Sequence, residues 1–372
     1  MKVLYDHQAF SGAKYGGVAR YFYDLMQNLK YEQNVDVQLA LKFSNNDYIK
    51  NGDIKKIIPF DFFLGYAKTN ILFSHINRAN SAIKIALHDF DVFHPTYFKD
   101  YFLPFIGKKP FVITHHDVIP EKFSTKYNAL DGFDKSQKQK ILDKASKIIA
   151  VSENTKQDIL DIFNIAPEKV EVIYHSTHFS TFIPDENIKI EVPKRYLLYI
   201  GNRYNYKNFF VFIRSIAPIL KKQSDLYLLC GGNGSFTAEE QKLLAELKIT
   251  DKVLHRDIKN DDELYQLYKN ALAFVYPSLY EGFGIPILEA FACQCPVVIS
   301  DRSCFPEVAQ DAALYFNPDD KEHIAHQIEK IVDDEVLRKT LITKGTHRLK
   351  DFSPSITAIK TLNIYKSVTG KD

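Results

Sequence analysis

The chain has 372 residues, more than twice the length of a typical single domain, so we expect two domains with separate cores. Apolar residues make up 45% and charged residues 25% of the chain, which excludes disordered and fibrous proteins. The 48 Lys and Arg residues and the 46 Asp and Glu residues give a net charge of +2. This balance lacks the excess of basic residues typical of nucleic-acid-binding proteins, and no nucleic-acid partner is expected.

The sequence predicts neither a membrane span nor a secreted protein. The longest uncharged stretches, residues 271–280 and 290–300, are shorter than the roughly 18–20 apolar residues of a span. Asp6 and His7 lie where a secretory signal would have its apolar core. Four cysteines are too few for a disulfide framework, and Cys293 and Cys295 lack the spacing of a zinc site. We therefore expect a cytoplasmic protein with buried thiols.

The first half of the chain alternates between predicted strands and helices. Apolar positions repeat at helical spacing through residues 18–29, directly after Gly16 and Gly17. Short apolar runs predict strands at residues 3–4, 35–41, 91–94, 111–115 and 148–151. Such alternation is typical of a parallel sheet with helices on both faces. A helix at residues 135–147 carries several lysines, which are expected on a solvated face.

A second alternating series follows a polar connection at residues 174–193. Its predicted strands are residues 196–200, 226–230, 271–276, 296–299 and 314–316, with helices at 208–220 and 237–247. Thr237 and Glu240 have the spacing of a capping box. We infer an α/β protein with two Rossmann-like, doubly wound parallel-sheet domains facing a cleft. The domains are residues 1–180 and residues 192–350.

The richest motif follows the predicted strand at 271–276. Glu281, Gly282 and Gly284 lie in a loop, and a helix begins near Ile285. Unpaired amides at a helix start, approached through glycines, form a site for anions. Glu281 and Glu289 are better suited to accept hydrogen bonds from sugar hydroxyls. The alternative is a structural turn with a solvated Glu289, but the order of the elements favours a site for a diphosphate between two polyols.

This motif resembles the signature of family 4 of the retaining glycosyltransferases, which have the GT-B fold. The family pattern of Glu, seven residues and Glu is matched by Glu281 and Glu289. The resemblance implies that Glu281 contacts the donor sugar and Glu289 the ribose of the nucleotide. It also implies that the donor binds beside the segment Gly282, Phe283, Gly284 and Ile285, and that a C-terminal helix at 353–372 returns to the first domain.

A second resemblance lies after the strand at 196–200, where residues 201–208 are similar to the family's Gly…Lys-Asn loop. The resemblance implies that basic residues of this loop hold the diphosphate, and Arg203 and Lys207 are the candidates. A departing nucleoside diphosphate gains negative charge, which a metal ion or fixed cations must offset. We expect fixed cations, and therefore neither a metal nor another cofactor. A solvated surface pair is the alternative.

Three further segments of the first domain resemble segments of the family. Gly16 and Gly17 are similar to a glycine loop near the phosphates or the acceptor. His116 matches a histidine beside the donor sugar and is a catalytic candidate, although the adjacent His115 leaves the register open by one residue. His94 ends a predicted strand and is a candidate at the edge of the site.

The first domain contains a pair of aspartates at the spacing of a metal motif, and the second contains a departure from the family pattern. Asp89 and Asp91 have the Asp-x-Asp spacing of metal-dependent transferases, but two carboxylates alone are too few for a hard cation. Gln294 stands where the family usually has glycine, which leaves the local backbone open.

The resemblance implies a retaining, metal-independent transfer from a nucleoside diphosphate sugar, GDP-mannose-like, to a saccharide or lipid-linked saccharide in bacterial polysaccharide or lipopolysaccharide biosynthesis. The catalytic candidates are Arg203, Lys207, Glu281 and His116. A nucleotide-sugar epimerase or hydrolase, and a non-catalytic nucleotide-sugar-binding subunit, remain alternatives. The apolar residues between 57 and 73, flanked by lysines, predict either core or a peripheral contact with the inner face of the plasma membrane.

Overall fold

The computed structural model describes residues 1–12, 14–50, 57–58, 66–123, 134–185, 187–203, 205–232 and 234–371. The strands are β1 (Lys2–Tyr5), β2 (Asp36–Leu39), β3 (Val92–His94), β4 (Val112–His115), β5 (Lys147–Ala150), β6 (Val170–Val172), β7 (Arg195–Ile200), β8 (Leu226–Gly231), β9 (Val253–Arg256), β10 (Ala273–Tyr276), β11 (Val297–Ser300) and β12 (Leu314–Phe316). The helices are α1 (Gly17–Lys30), α2 (Asp47–Lys50), α3 (Tyr66–Ala86), α4 (Ile119–Phe123), α5 (Lys135–Lys144), α6 (Glu153–Phe163), α7 (Phe209–Lys222), α8 (Ala238–Glu246), α9 (Asp261–Asn270), α10 (Ile285–Ala292), α11 (Phe305–Ala309), α12 (Lys321–Asp333), α13 (Glu335–Arg348) and α14 (Pro354–Thr369).

The chain forms two compact units. Counting only the described residues, the first unit comprises those within Met1–Ser124, Ala129–His175 and Pro354–Asp372, and the second comprises those within Ser176–Ser353. The C-terminal helix α14 therefore belongs to the first unit, where its apolar side chains join the core around α1 and β1.

The described residues of the first unit form two three-stranded parallel sheets, with strand orders β2-β1-β3 and β4-β5-β6. A parallel bridge between Phe93 and Phe111 joins them. All four residues of β4 are buried, as in a strand covered on both faces.

The second unit has one six-stranded parallel sheet with the order β12-β11-β10-β7-β8-β9. Two series of strands run outward from its centre, so the direction of winding reverses between β7 and β10. In open α/β sheets, the crevice outside the carboxyl ends of the strands at such a reversal is where ligands bind. The strand order alone therefore predicts a ligand site at the loops after β7 and β10.

Most predicted elements are confirmed, and so is the α/β class with two parallel-sheet units. Thr237 and Glu240 form the predicted capping box at the start of α8. The strands β6 and β9 were not predicted. β6 has only three residues, and β9 ends in His255 and Arg256, so neither gives a continuous apolar run.

All four cysteines are buried free thiols, as predicted. Among the described helices, none combines the length and hydrophobicity needed to cross a bilayer. The apolar stretch predicted at 57–73 falls partly outside the described residues, which omit 59–65. Its described members include Ile58, Ile71 and Leu72, which are exposed and do not belong to the core.

Candidate functional site

The loops after β7 and β10 lie side by side in the second unit. These strands pair in parallel, so their carboxyl ends meet at the same edge of the sheet. The amide of Leu279 donates to the carbonyl of Tyr206 at 2.8 Å and ties the loops together. Three predicted site residues, Arg203, Lys207 and Glu281, are therefore carried by two adjoining loops.

Lys207 and Glu281 are in direct contact. The Lys207 Nζ lies 2.5 Å from Glu281 Oε1 and donates to the Tyr276 hydroxyl at 3.2 Å. Their side chains are only 10% and 11% exposed. Burial and the neighbouring Glu281 hold the pKa of Tyr276 well above its usual range, so its hydroxyl stays protonated. The two residues form one fixed polar group at the edge of the sheet.

Arg203 is held by a partner that the sequence did not reveal. Its Nε donates to Glu240 Oε1 at 2.8 Å, and Nη2 donates to the carbonyls of Gly234 and Ser235 at 3.1 and 3.0 Å. The guanidinium also lies 4.9 Å from the ring centre of Phe236. Glu240 thus serves both the capping box and Arg203. Both predicted cations have a buried carboxylate partner, so they are preorganised but locally neutralised.

Three buried polar atoms on these loops lack a hydrogen-bond partner among the described residues. They are Asn202 Oδ1 and Arg203 Nη1 after β7, and Ser278 Oγ after β10. A buried polar atom without a partner costs about 1–3 kcal/mol. Such atoms also occur elsewhere in the described chain, but three of them on two adjoining loops at the winding reversal favour a polar ligand at this edge. Neither Asn202 nor Ser278 was singled out from the sequence.

The start of α10 requires a glycine. Gly284 has a φ of +91°, a left-handed conformation that other residues rarely adopt. A Cβ there would lie 3.0 Å from Phe305 Cε1 and 3.2 Å from Ile287 Cδ1. The eight-residue helix begins directly afterwards, so its first amides follow the Glu281 loop.

The other residues of this segment divide between packing and the site. Gly282 is buried, and Phe283 packs edge-on against Phe352 with ring centres 5.8 Å apart, so its side chain has a packing role. Ile285 is partly exposed at the first turn of α10. The hydroxyl of Ser303, which no sequence pattern indicated, donates to the carbonyl of Glu281 at 2.6 Å and fixes the loop.

Glu289 lies in the second turn of α10 and is partly exposed. The hydroxyl of Tyr268 on α9 donates to its Oε2 at 2.9 Å. Both glutamates of the motif therefore have a fixed donor, Lys207 for Glu281 and Tyr268 for Glu289.

Gly16 and Gly17 are exposed at the start of α1 in the first unit. Gly16 has extended backbone, and a Cβ at either position would meet nothing within 4 Å. These glycines leave the first amides of the helix open to approach. Neither is required by a strained backbone conformation. Tyr21 lies in the next turn of α1, and its ring contacts two histidines of the first unit.

His116 stacks on His175, with ring planes 10° apart and Nδ1 3.3 Å from Nε2. Tyr21 packs edge-on against both rings, at 5.1 and 4.7 Å between centres. Burial, with a smaller contribution from the charge of Lys138, lowers the pKa of His116 to about 3, so its imidazole is neutral near pH 7. The sequence indicated His116 but not His175.

His94 has a different place from the one predicted. It is fully buried, and its ring nitrogens lie 2.6 Å from the Tyr365 hydroxyl and 3.0 Å from Thr114 Oγ1. Because both nitrogens have core partners, His94 joins α14 to the sheet and is not brought to a ligand edge. His115 is also buried and packs edge-on against Phe98, which leaves His116 as the histidine that meets Tyr21.

The solvated lysine face predicted at 135–147 is wrong at one position. The Lys138 Nζ lies 2.7 Å from Glu121 Oε1, and both side chains are buried. The helical period places Lys138 inward, and Glu121 on α4 makes that burial tolerable.

Asp89 and Asp91 do not form a metal site. Asp89 pairs with Lys2 at 2.6 Å, and Asp91 pairs with Lys371 at 2.8 Å. Among the described residues, no group of three or more His, Cys, Asp or Glu side chains is arranged to hold a metal ion. The predicted independence from metals stays a prediction.

Solved structures with similar folds cover the whole chain. A glycosyltransferase from Rickettsia africae has a TM-score of 0.73 at 20% identity and covers 100% of this chain and 99% of its own. The Anabaena HepE protein, solved with UDP and glucose, has a TM-score of 0.73 at 16% identity and covers 99% of this chain and 100% of its own. These likenesses establish the GT-B fold.

Sequence comparisons establish the family. An O-antigen chain mannosyltransferase of Salmonella typhimurium is 35% identical over 50% of each chain. O-antigen chain mannosyltransferase B of Escherichia coli is 30% identical over 60% of this chain and 61% of its own. The matches thus span about half to three fifths of the length of these relatives. Residues 15–178 match the Glycosyltransferase Family 4 model, and residues 183–348 match Glycosyl transferases group 1. The chain belongs to the family 4 glycosyltransferases.

Proposed function

We propose that the protein is a retaining glycosyltransferase that moves a hexose from a nucleoside diphosphate sugar to a saccharide or lipid-linked saccharide, in bacterial polysaccharide or lipopolysaccharide assembly. The observation that carries the proposal is the contact of Lys207 with Glu281 at the winding reversal of the second sheet. Mannose is the proposed sugar because both relatives compared above are named mannosyltransferases. GDP is the proposed nucleotide, by family resemblance.

Glu281 and Lys207 have different proposed roles. Glu281, fixed by Lys207 and by Ser303 at its backbone, would accept hydrogen bonds from hydroxyls of the donor sugar. Lys207, Arg203 Nη1 and the first amides of α10 would face the diphosphate. Preorganised donors of this kind stabilise developing negative charge without reorganising during the reaction.

The proposed reaction is a front-face substitution. The bond between the sugar C1 and the diphosphate oxygen breaks with its electron pair on the diphosphate. The acceptor oxygen forms the new bond to C1 on the same face, and its proton passes to the departing diphosphate. Neutral His116 would contact the donor sugar as a hydrogen-bonding group. Fixed hydrogen-bond donors of Lys207, Arg203 and the first amides of α10 would stabilise the charge on the departing diphosphate, and undiminished transfer in EDTA is the expected result.

The decisive experiment begins with a thermal-shift panel of GDP, UDP and ADP and their sugar derivatives, since a bound ligand raises the melting temperature with its occupancy. UDP is included because HepE was solved with it. Donor consumption is then measured with and without a saccharide acceptor extract. Acceptor-dependent consumption supports transfer. Equal consumption without acceptor would indicate a hydrolase or epimerase, and stabilisation without turnover would indicate a non-catalytic binding subunit.

The Lys207→Ala variant tests the assigned cation. Loss of one preorganised donor costs about 3 kcal/mol of barrier, so turnover should fall roughly a hundredfold in the folded fraction of the variant. Lys339→Ala is the matched control, because Lys339 pairs with Glu335 at 2.6 Å but is exposed on α13. Near-normal turnover of folded Lys207→Ala would refute the role.

We also propose that the first unit contacts an anionic membrane surface through α3. Four apolar residues on or just after this helix are strongly exposed: Ile71 at 62%, Leu72 at 57%, Ile83 at 62% and Leu87 at 71%. Leu72, Ile83 and Leu87 lie on one side of the helical wheel. The helix has no acidic residue, and it carries exposed Arg78 and partly exposed Lys84, of which Lys84 lies nearer the apolar stripe on the helical wheel. Exposed apolar residues flanked by positive charge are typical of interfacial helices. A lipid-linked acceptor would explain such a surface.

Vesicle sedimentation tests this contact. The protein should bind phosphatidylglycerol vesicles at low salt, and the double variant Ile83→Glu, Leu87→Glu should bind at least tenfold more weakly. Val336→Glu is the control, because Val336 is equally exposed on α13 of the second unit. Absence of wild-type binding, or equal loss in the control, would end the proposal.

A further inference from the structure

A buried tyrosine fixes the second glutamate of the motif. Tyr268 is fully buried on α9, and its ring packs edge-on against Phe274 of β10 at 5.3 Å between centres. Its hydroxyl donates to Glu289 Oε2 at 2.9 Å. The hydrogen-bond donor, Tyr268, is thus anchored in the core, whereas the hydrogen-bond acceptor, Glu289, lies on α10 and is partly exposed.

This geometry suits a preorganised carboxylate. A free glutamate side chain samples many rotamers, and ordering it on ligand binding reduces affinity. Hydrogen bonds to an ionised carboxylate are stronger than neutral ones, so the tyrosine can select one orientation. Burial and the charge of Glu289 hold the pKa of Tyr268 well above its usual range, so the hydroxyl remains a donor at any working pH.

We propose that Tyr268 is a positioning residue that holds the Glu289 carboxylate in the orientation that accepts the ribose hydroxyls of the donor nucleotide. The inference rests on the proposed function, in which Glu289 contacts that ribose. Tyr268 itself does not touch the nucleotide. A tyrosine that only satisfied its own hydroxyl would affect stability but would not distinguish nucleotides with and without ribose hydroxyls.

The test compares Tyr268→Phe with Tyr196→Phe. The Tyr196 hydroxyl is also buried in the second unit and donates at 2.7 Å to the carbonyl of Leu267, next to Tyr268. Each variant loses one buried hydroxyl and keeps its ring. Calorimetry first identifies which of GDP and UDP wild type binds more tightly. The binding of that ribonucleotide and of its 2′,3′-dideoxy analogue is then measured for wild type and both variants.

Tyr268→Phe should bind the ribonucleotide about five- to tenfold more weakly, and Tyr196→Phe should match wild type. Both variants should bind the dideoxy analogue as wild type does, because it lacks the hydroxyls that Glu289 would accept. Equal weakening of Tyr268→Phe for both nucleotides, or none for either, would overturn the proposal.

Glu289→Gln separates failure of this inference from failure of the proposed function. If Glu289→Gln weakens only the ribonucleotide and Tyr268→Phe does not, the positioning role fails alone. If Glu289→Gln weakens neither nucleotide, the ribose contact itself is wrong and the inference fails with it. The double variant should bind within twofold of Glu289→Gln, because Tyr268 acts through that carboxylate; additive losses would contradict the proposal.

Discussion

Replacing Lys207 by Met should destabilise the second unit as well as impair the site. Met keeps the length of the side chain but removes the charge that lies 2.5 Å from Glu281. At this 2.5 Å separation and an effective dielectric constant of about 20, the attraction is about 7 kcal/mol before desolvation is subtracted. Removing one member of a buried pair leaves the other charge unpaired and costs about 3–5 kcal/mol. The hydroxyl of Tyr276 still bonds Glu281, so we expect the lower value, about 3 kcal/mol.

Native-state hydrogen exchange provides the assay. The amides of β7 and β10 report the free energy of opening of the second unit, which avoids assuming that both units unfold together. The double variant Lys207→Met, Glu281→Gln removes the orphaned charge and should regain at least about 1.5 kcal/mol. Lys339→Met, at an exposed pair, should change stability by less than about 1 kcal/mol. A Lys207→Met variant as stable as wild type, or a double variant no more stable than the single one, would refute the reasoning.

Three further predictions concern pH and backbone. Burial lowers the pKa of His94 to about 3, against 6.5 when unfolded. The unfolding free energy should therefore not depend on this group above pH 6.5, and it should fall by about 1.4 kcal/mol per pH unit as the pH drops from 6.5 towards 3. Urea unfolding between pH 5 and 8 should show that, below pH 6.5, the slope of the unfolding free energy against pH is smaller by about one proton in His94→Gln than in wild type, and an unchanged slope would contradict the assignment. Gln294 has a φ of 55° at the end of α10, so Gln294→Gly should stabilise by about 0.5 kcal/mol and raise the melting temperature by 1–2 °C; a lower melting temperature would count against it. Gly284→Ala forces a Cβ to within 3.0 Å of Phe305 at a φ of +91° and should cost about 2 kcal/mol in urea unfolding, whereas Gly12→Ala, where a Cβ meets nothing, serves as the control.

Local patterns of sequence were sufficient for much of the fold. Buried parallel strands need apolar side chains on both faces, so β1, β7 and β10 appear as short apolar runs bounded by turns. The capping box of Thr237 and Glu240 depends on residues three apart and is visible without coordinates. The spacing of Glu281 and Glu289 is likewise a property of one segment.

Tertiary structure decided the pairing of the charged groups. Lys207 meets Glu281 because β7 and β10 are neighbours in the sheet, although 74 residues separate the two side chains. Arg203 meets Glu240, and Lys138 turns inward to Glu121, through the same kind of distant packing. Helical and strand periods describe which face a residue occupies relative to its own neighbours in sequence. Which residues from other parts of the chain that face contacts depends on strand order and helix packing. These are set by the whole chain.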